Sequence, residues 1–301
     1  MSGVSVIIPT FNRARKVVRA VSSVLYQTYK DHEIIVVDDG STDGTKDALR
    51  SVYPHIKYLS HPKNMGVSTA RNTGIRASGS PLIAFLDSDD FWLAEKLAVQ
   101  VEFFLQHPKT LACQTEELWI RDGRRINPGK KHLKPSGDIF GPSLKRCLVS
   151  PSAVMLKRSL LEEVGLFDPD LPACEDYDLW LRISCLYPIY LIQEPLAFKE
   201  GGAPDQLSSR YIGMDRFRIR ALVKLLKSDK LNIRQREEVF QELTLKSTIY
   251  GNGCLKRGKN EEGAYYLSLP DKLKRDDALD IHSGYLGPFK AEMDTKDYLS
   301  S

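Results

Sequence analysis

The sequence predicts an α/β protein: a mainly parallel sheet flanked by helices, followed by a helical C-terminal extension. Three observations predict it. Short β-branched runs alternate with helix-period segments through the first 110 residues. The loops that would lie at the carboxyl ends of those runs are crowded with polar and acidic residues. Past residue 210 the strand signal stops and the chain reads as helix.

Taken in order, "VSVII" (4–8) and "EIIVVD" (33–38) are bounded by Pro, Asp and Gly, as buried parallel strands are. "IKYLS" (56–60) and "PLIAFLD" (81–87) repeat the pattern. Helical segments at 13–28, 43–52 and 67–77 separate them, with apolar residues three and four apart, such as Val17, Val21, Val24 and Leu25. This alternation implies right-handed crossovers and a parallel sheet. From 111 to 150 the pattern loosens into hairpin and loop signals, with Lys and Arg crowded between 121 and 134. Residues 150–171 read as strand, helix and turn, 174–188 as a helix with an acidic start, and 189–199 as two short strands. The expected domains are therefore 1–210, carrying the sheet, and 211–301, a helical extension. Residues 236–273 resemble a single helical hairpin of the tetratricopeptide kind. The last 25 residues are polar, with partial disorder expected.

Composition narrows the class. With 42% hydrophobic and 27% charged residues the chain can build a core and stay soluble. A net charge of +4, without interleaved aromatic and basic residues, does not point to nucleic acid. No apolar run is long enough to span a membrane, and the N-terminus places its apolar run before its basic residues, the wrong order for a secretory signal. Five scattered cysteines without CxxC spacing read as reduced, mostly buried thiols of a cytoplasmic protein.

In open parallel sheets ligands bind beyond the carboxyl ends of the strands. That rule selects "PTFNRA" (9–14), "DDGSTDGT" (38–45), "HPKNMGVSTARNTG" (61–74) and "DSDDFW" (87–92), all expected on one rim. An EF-hand alignment of "DDGSTDGT" would put Arg50 where the bidentate Glu belongs, so calcium fails. Dinucleotide and P-loop motifs are absent. Asp87, Asp89 and Asp90 crowd three carboxylates at one strand end, where Mg²⁺ or Mn²⁺ bridging to a diphosphate would relieve the repulsion. The bland alternative is an N-cap, with Asp89 or Asp90 opening a helix at 93. In "CEDYDLWLR", Glu175, Asp176 and Asp178 fall in the first turn of a helix. They are either dipole-stabilised acids or include a general base, for which Asp176 is the choice. Trp180, one turn on, would shape an apolar wall.

The segments "VSVIIPTFNR", "EIIVVDDGSTDGT", "NMGVSTARNTG", "IAFLDSDD" and "EDYDLWLR" together resemble glycosyltransferase family 2, inverting enzymes of the GT-A (Rossmann-like) fold, over roughly residues 3–210. The resemblance implies a nucleotide-sugar donor, UDP-sugar above all, and Mg²⁺ or Mn²⁺ as cofactor. It implies Pro9, Thr10 and Asp39 lining the uridine pocket, with Arg71 near the base or the phosphates. Asp87 and Asp89 would face ribose and diphosphate, Asp89 or Asp90 would hold the metal, and Asp176 would be the catalytic base. One departure stands out: many members carry a histidine on the loop after the last strand, whereas "KEGGAPDQLSSR" (199–210) has none.

Two other readings are weighed against this one. A nucleotidyltransferase of related fold would carry a Gly-rich loop where this chain has "PTFNRA". An inactive nucleotide-sugar-binding module is supported by the missing histidine and opposed by the intact "DSDD" and "ED". The acceptor is expected to be a glycan or a lipid-linked species. Lys130, Lys131, Lys134 and the basic helix at 216–230 are either a peripheral contact with the inner membrane face or a solvated basic face. The C-terminal helices can dock on the catalytic domain, form a homodimer or bind a partner, and the sequence does not choose.

Overall fold

A computed structural model describes residues 3–121, 123–126, 129, 133–202 and 211–279. Lys130, Lys131, most of the loop 199–210 and the polar tail from 280 lie outside the described residues.

The first four strands are β1 (Val4–Thr10), β2 (His32–Asp38), β3 (Lys57–Ser60) and β4 (Leu82–Phe85). Helices α1 (Ala14–Leu25), α2 (Thr45–Val52) and α3 (Val67–Ala77) connect them. The pairs β2–β3, β1–β2 and β1–β4 are all parallel. Beyond β4 the sheet is mixed. It runs β3-β2-β1-β4-β8-β6-β9-β5, with β9 (Tyr190–Glu200) and β5 (Phe91–Trp92) at the far edge and β8 (Val154–Lys157) antiparallel to both β4 and β6 (Ala112–Arg121). A short β7 (Arg124–Ile126) closes a hairpin on β6.

Two local expectations change. The helix foreseen at 93 is preceded by a two-residue strand, β5 (Phe91–Trp92), which pairs with Phe198 and Ala197, and α4 begins only at Lys96 (Lys96–Gln106). Phe91 and Phe198 stack with ring centroids 4.5 Å apart, and that cross-strand pair is what extends the chain there. Residues 190–200 form one continuous strand, β9 (Tyr190–Glu200), rather than two. Its Pro195 sits opposite Glu116, where the β6–β9 register shifts, a place where a missing backbone donor is tolerated.

The sheet buries both faces by strand alternation. Val4, Val6 and Ile8 of β1 pack with Val17, Val21 and Val24 of α1 and Leu97, Val101 and Phe104 of α4. Ile7 faces the other side, with Leu160 and Leu161 of α6 (Arg158–Val164) and Leu179, Trp180 and Ile183 of α7 (Glu175–Ser184). Each such side chain contributes about 1.5–3 kcal/mol on burial. Trp180 is 1% exposed and meets the Phe167 ring edge-on, so it belongs to this core rather than to a wall of the rim. α5 (Phe140–Lys145) packs against α7.

The compact unit that carries the sheet continues past residue 210, to Lys246. Helix α8 (Asp215–Leu226) buries Phe217, Ile219, Leu222 and Leu226. Its basic residues are largely engaged: Lys224 meets Asp168 at 2.7 Å and Asp178 at 3.1 Å, and Arg218 meets Asp215 at 2.8 Å. Lys134 is likewise buried, 3.1 Å from Glu117. The second unit starts at Ser247, in α9 (Ile233–Lys256), and continues through α10 (Asn260–Leu279) as a helical hairpin. Gly258 turns it at φ +76°, and Tyr250 donates to Glu262 across it at 2.6 Å. Among the described residues no helix is long and apolar enough to cross a membrane.

Candidate active site

The loops after β1, β2 and β4 and the segment before α3 gather on one rim, joined by α7 and the end of β9. The first two loops are tied together by their own polar side chains. Asn12, at φ 51°, accepts from Thr42 N–H at 2.8 Å and gives its own N–H to Ser41 Oγ at 2.8 Å. Asp43 accepts from Ala14 N–H at 3.1 Å, at the start of α1. Gly40 is required in this loop: its φ is +79°, and a Cβ there would lie 2.6 Å from the Lys63 carbonyl carbon.

Asp39 is buried at the end of β2. Its Oδ1 accepts from Met65 N–H at 2.9 Å and bonds His61 Nδ1 at 2.7 Å, and its Oδ2 accepts from Gly66 N–H at 2.8 Å. Three of a carboxylate's roughly four acceptor positions are thus occupied by the chain itself. Pro9 and Thr10 end β1, and Thr10 Oγ1 is buried without a hydrogen-bond partner among the described residues. Ser68 Oγ, in the first turn of α3, is in the same condition.

Arg71, expected near the base or the phosphates, is buried at the rim between two acids. Its Nη1 donates to Glu175 at 2.6 Å and its Nη2 to Asp87 at 2.7 Å, while the guanidinium stands 5.1 Å from the Phe167 ring centre. Burial works against the Asp87 charge, but Arg71, with Lys199 and Arg13, outweighs it and holds the carboxyl below its usual range. Burial and the adjacent Asp176 charge push Glu175 up, to about 7, against the pull of Arg71.

The other two acids of "DSDD" differ. Asp89 pairs with Arg13 at 3.0 Å, and its carbonyl accepts from Arg19 at 2.7 Å. Asp90 is turned into the fold, accepting from Ser152 Oγ at 2.6 Å and from Glu200 N–H at 3.0 Å. Burial, together with Asp89 and Asp87, raises its carboxyl well above the usual range. Asp90 therefore does not cap α4: its oxygens tie β9 and the 150–152 turn to the rim.

The first turn of α7 sorts its acids in the same way. Cys174 precedes it at φ 61°, an uncommon conformation for a residue with a Cβ. Glu175 goes to Arg71, and Asp178 goes to Arg182 at 2.9 Å and to Lys224. Asp176 alone is half-exposed and forms no ion pair among the described residues. It accepts from Tyr177 N–H at 2.7 Å and from the Cys147 thiol at 3.4 Å.

Lys199 was not singled out in the sequence because it sits at the end of an apolar strand. Its Nζ is 3.4 Å from Ser150 Oγ, and burial, which alone would lower it, is overridden by Glu117, Asp90, Asp87 and Asp176, so it is held firmly protonated. Gly202, at φ +92°, lies against the Arg121 side chain.

These groups fit a hard divalent cation in one manner only. Among the described residues no three His, Cys, Asp or Glu side chains converge on a point. Asp87 is a quarter exposed and only one of its oxygens takes a hydrogen bond from Arg71, which leaves the other with acceptor capacity. One or two carboxylates completed by phosphate oxygens and water is a usual setting for Mg²⁺. Asp90, the other acid expected at the metal, has one hydrogen bond on each oxygen, from Ser152 and from Glu200 N–H.

The sequence model of glycosyl transferase family 2 matches residues 5–165, more than half the chain. The chain belongs to glycosyl transferase family 2. Over 181 residues, 60% of this chain and 69% of the relative, it is 34% identical to the UDP-Glc:alpha-D-GlcNAc-diphosphoundecaprenol beta-1,3-glucosyltransferase WfgD of Escherichia coli. It spans about 30% of the length of the uncharacterized Rickettsia glycosyltransferases that it also matches. The fold is similar to that of S. aureus TarS in complex with UDP-GlcNAc, with a TM-score of 0.70 at 21% identity, covering 89% of this chain and 79% of TarS 1-349. It is also similar to the mannosyltransferase PcManGT of Pyrobaculum calidifontis in complex with GDP-Man and Mn²⁺, with a TM-score of 0.61 at 19% identity over 93% and 81% of the two chains. The family's GT-A architecture is therefore the one that brings these loops to a single rim.

Proposed function

We propose that this chain is an inverting glycosyltransferase that moves a sugar from a UDP-sugar to a hydroxyl of a glycan or lipid-linked acceptor, with Asp176 as general base. The observation that carries the reading is the sorting of acids on α7: Glu175 and Asp178 are consumed by cations, while Asp176 stays half-exposed and without an ion pair at the rim. WfgD's UDP-Glc donor and diphosphoundecaprenol-linked acceptor, and the UDP-GlcNAc bound by TarS, support the donor and acceptor classes.

In the reaction the acceptor hydroxyl gives its proton to Asp176 as its oxygen bonds the anomeric carbon. The bond from that carbon to the diphosphate breaks on the opposite face, and its electron pair leaves with the nucleoside diphosphate. One displacement inverts the anomeric centre. Thr10 and Asp39 orient the uridine, Thr10 through its unpartnered hydroxyl and Asp39 through the acceptor position that the chain leaves open. Asp87 and Asp89 would hold a divalent cation, which when bound supplies charge neutralisation to the departing diphosphate; the Mn²⁺ of PcManGT supports that assignment. The reading includes a cytoplasmic site of action.

The test is UDP release from a panel of UDP-sugars, with and without short glycan acceptors, for wild type and Asp176→Asn. Acceptor-dependent release, lowered about 10²–10⁴-fold in the variant, supports the base assignment. Acceptor-dependent release unchanged by the variant moves the base elsewhere, and UDP-sugar binding without turnover favours the binding-module reading.

A further inference from the structure

We propose that Lys199 is a protein-supplied cation for the donor's diphosphate, acting on the leaving group in addition to any bound metal; the inference rests on the transferase reading above. Three observations place it. The end of β9 is fastened to the acid loop, because Glu200 N–H donates to Asp90 at 3.0 Å and Phe198 stacks on Phe91. Lys199 is thereby fixed at the rim, with its ammonium 3.4 Å from Ser150 Oγ, a long contact for a charged donor. Finally, the acids around it each hold another partner: Glu117 has Lys134 at 3.1 Å, although its Oε1 is left without a hydrogen bond, Asp87 has Arg71, Asp90 has Ser152 and a backbone N–H, and Asp176 has the Cys147 thiol. Among the described residues Lys199 has no carboxylate within ion-pair distance. A half-buried ammonium carries three donors, and with one long hydroxyl contact it keeps hydrogen-bonding capacity that an anion arriving at the rim can take up.

The chemistry of that anion follows from the neighbours. The surrounding acids disfavour a second carboxylate, whereas a diphosphate brings several oxygens whose charge grows as the glycosidic bond breaks. Lysine suits the task as a compact charge on a flexible stem, able to follow an oxygen that moves during the reaction. In the transfer step the electron pair of the breaking bond goes to the β-phosphate oxygen, and Lys199 meets that charge without itself losing its proton.

Binding of UDP and of uridine is to be measured by calorimetry in EDTA and in Mn²⁺, for wild type, Lys199→Met and Lys199→Arg. The expected result is a loss of UDP affinity in Lys199→Met of roughly tenfold to hundredfold in EDTA, the size of one charge-assisted contact. Uridine binding should be unchanged, and Lys199→Arg should stay within about threefold of wild type on the same scale. Unchanged UDP affinity in Lys199→Met overturns the proposal. So does an equal loss for UDP and uridine, which would make the lysine a structural counter-ion to Glu117 and Asp90. If wild type binds uridine and UDP equally in both conditions, the diphosphate site itself is absent, and the transferase reading falls with the proposal. That failure is distinguishable because it needs no variant.

Discussion

Arg71 bridges Asp87 and Glu175, at 2.7 and 2.6 Å, joining two segments that meet only in the folded protein. This pairing, with Arg13 on Asp89 and the neutral donors on Asp90, explains how three carboxylates share one strand end. At about 4 Å two such charges repel by roughly 1–4 kcal/mol, depending on how wet the site is. The chain meets that repulsion with its own cations and neutral donors, which set the orientation of each carboxylate at the rim.

Above about pH 7, where Glu175 is ionised, Arg71→Met is therefore expected to destabilise strongly, because it leaves Glu175 buried without a counter-ion. Removing one partner of a buried pair costs about 3–5 kcal/mol. Asp87, a quarter exposed, adds little to that figure. Urea unfolding checks it, and Arg71→Met combined with Glu175→Gln should recover part of the loss. A double variant no more stable than the single one would show that Arg71 acts through packing on Phe167 instead.

Glu175 also predicts a pH dependence. Its folded carboxyl titrates near 7 against an ordinary 4.5, so the folded state holds a proton that the unfolded chain releases. The stability this group contributes is complete below about 4.5 and is lost as pH rises toward 7. Glu175→Gln, always neutral, lacks that slope. Between pH 4.5 and 7 wild type should lose up to about 3 kcal/mol relative to the variant. Parallel stability curves for the two proteins would refute the shift.

How much of this was legible in the sequence depends on the range of the interaction. Strand and helix periods are local, so the β1–β4 half of the sheet and its four rim loops could be read directly, and the five motifs indicated the family. The partners of each acid could not be read, because Arg71 and Glu175 lie 104 residues apart and no local pattern links them. For the same reason Asp90 was grouped with its neighbours, though Ser152 and Glu200 draw it inward. Lys199 ends a strand that reads as structural, and only the register opposite Trp119 brings it to the rim. The β5–β9 pairing was hidden because a two-residue strand carries no period at all.

The two α7 acids on either side of Tyr177 should separate function from stability. Asp176→Asn is expected to lower kcat about 10²–10⁴-fold while shifting stability by less than about 0.5 kcal/mol. Asp178→Asn should do the reverse. It removes the charge between Arg182 and Lys224, which keep only the Val164 and Leu166 carbonyls and Asp168 respectively, and is expected to cost about 1–3 kcal/mol, discounted from a fully buried pair for those remaining partners. Its turnover per folded molecule should stay within a few-fold of wild type, as measured by UDP release at a temperature where both remain folded.

Gly40 and Gly44 offer a matched pair within one loop. Both have positive φ, +79° and +81°, so alanine at either carries the same backbone strain of about 1–2 kcal/mol. Only Gly40 faces backbone: its Cβ would fall 2.6–2.9 Å from Lys63 and Asn64, whereas nothing lies within 4 Å at Gly44. Backbone cannot rotate aside as a side chain can, so the loop after β2 must separate from the segment leading to α3. Gly40→Ala should thus cost a further 1–3 kcal/mol or so beyond Gly44→Ala. It should also weaken UDP binding, because the same separation pulls Asp39 from Met65 and Gly66. Urea unfolding and UDP titration of the two variants decide it: equal losses at both positions would mean that conformational strain alone, and not the close approach of the two loops, demands glycine at 40.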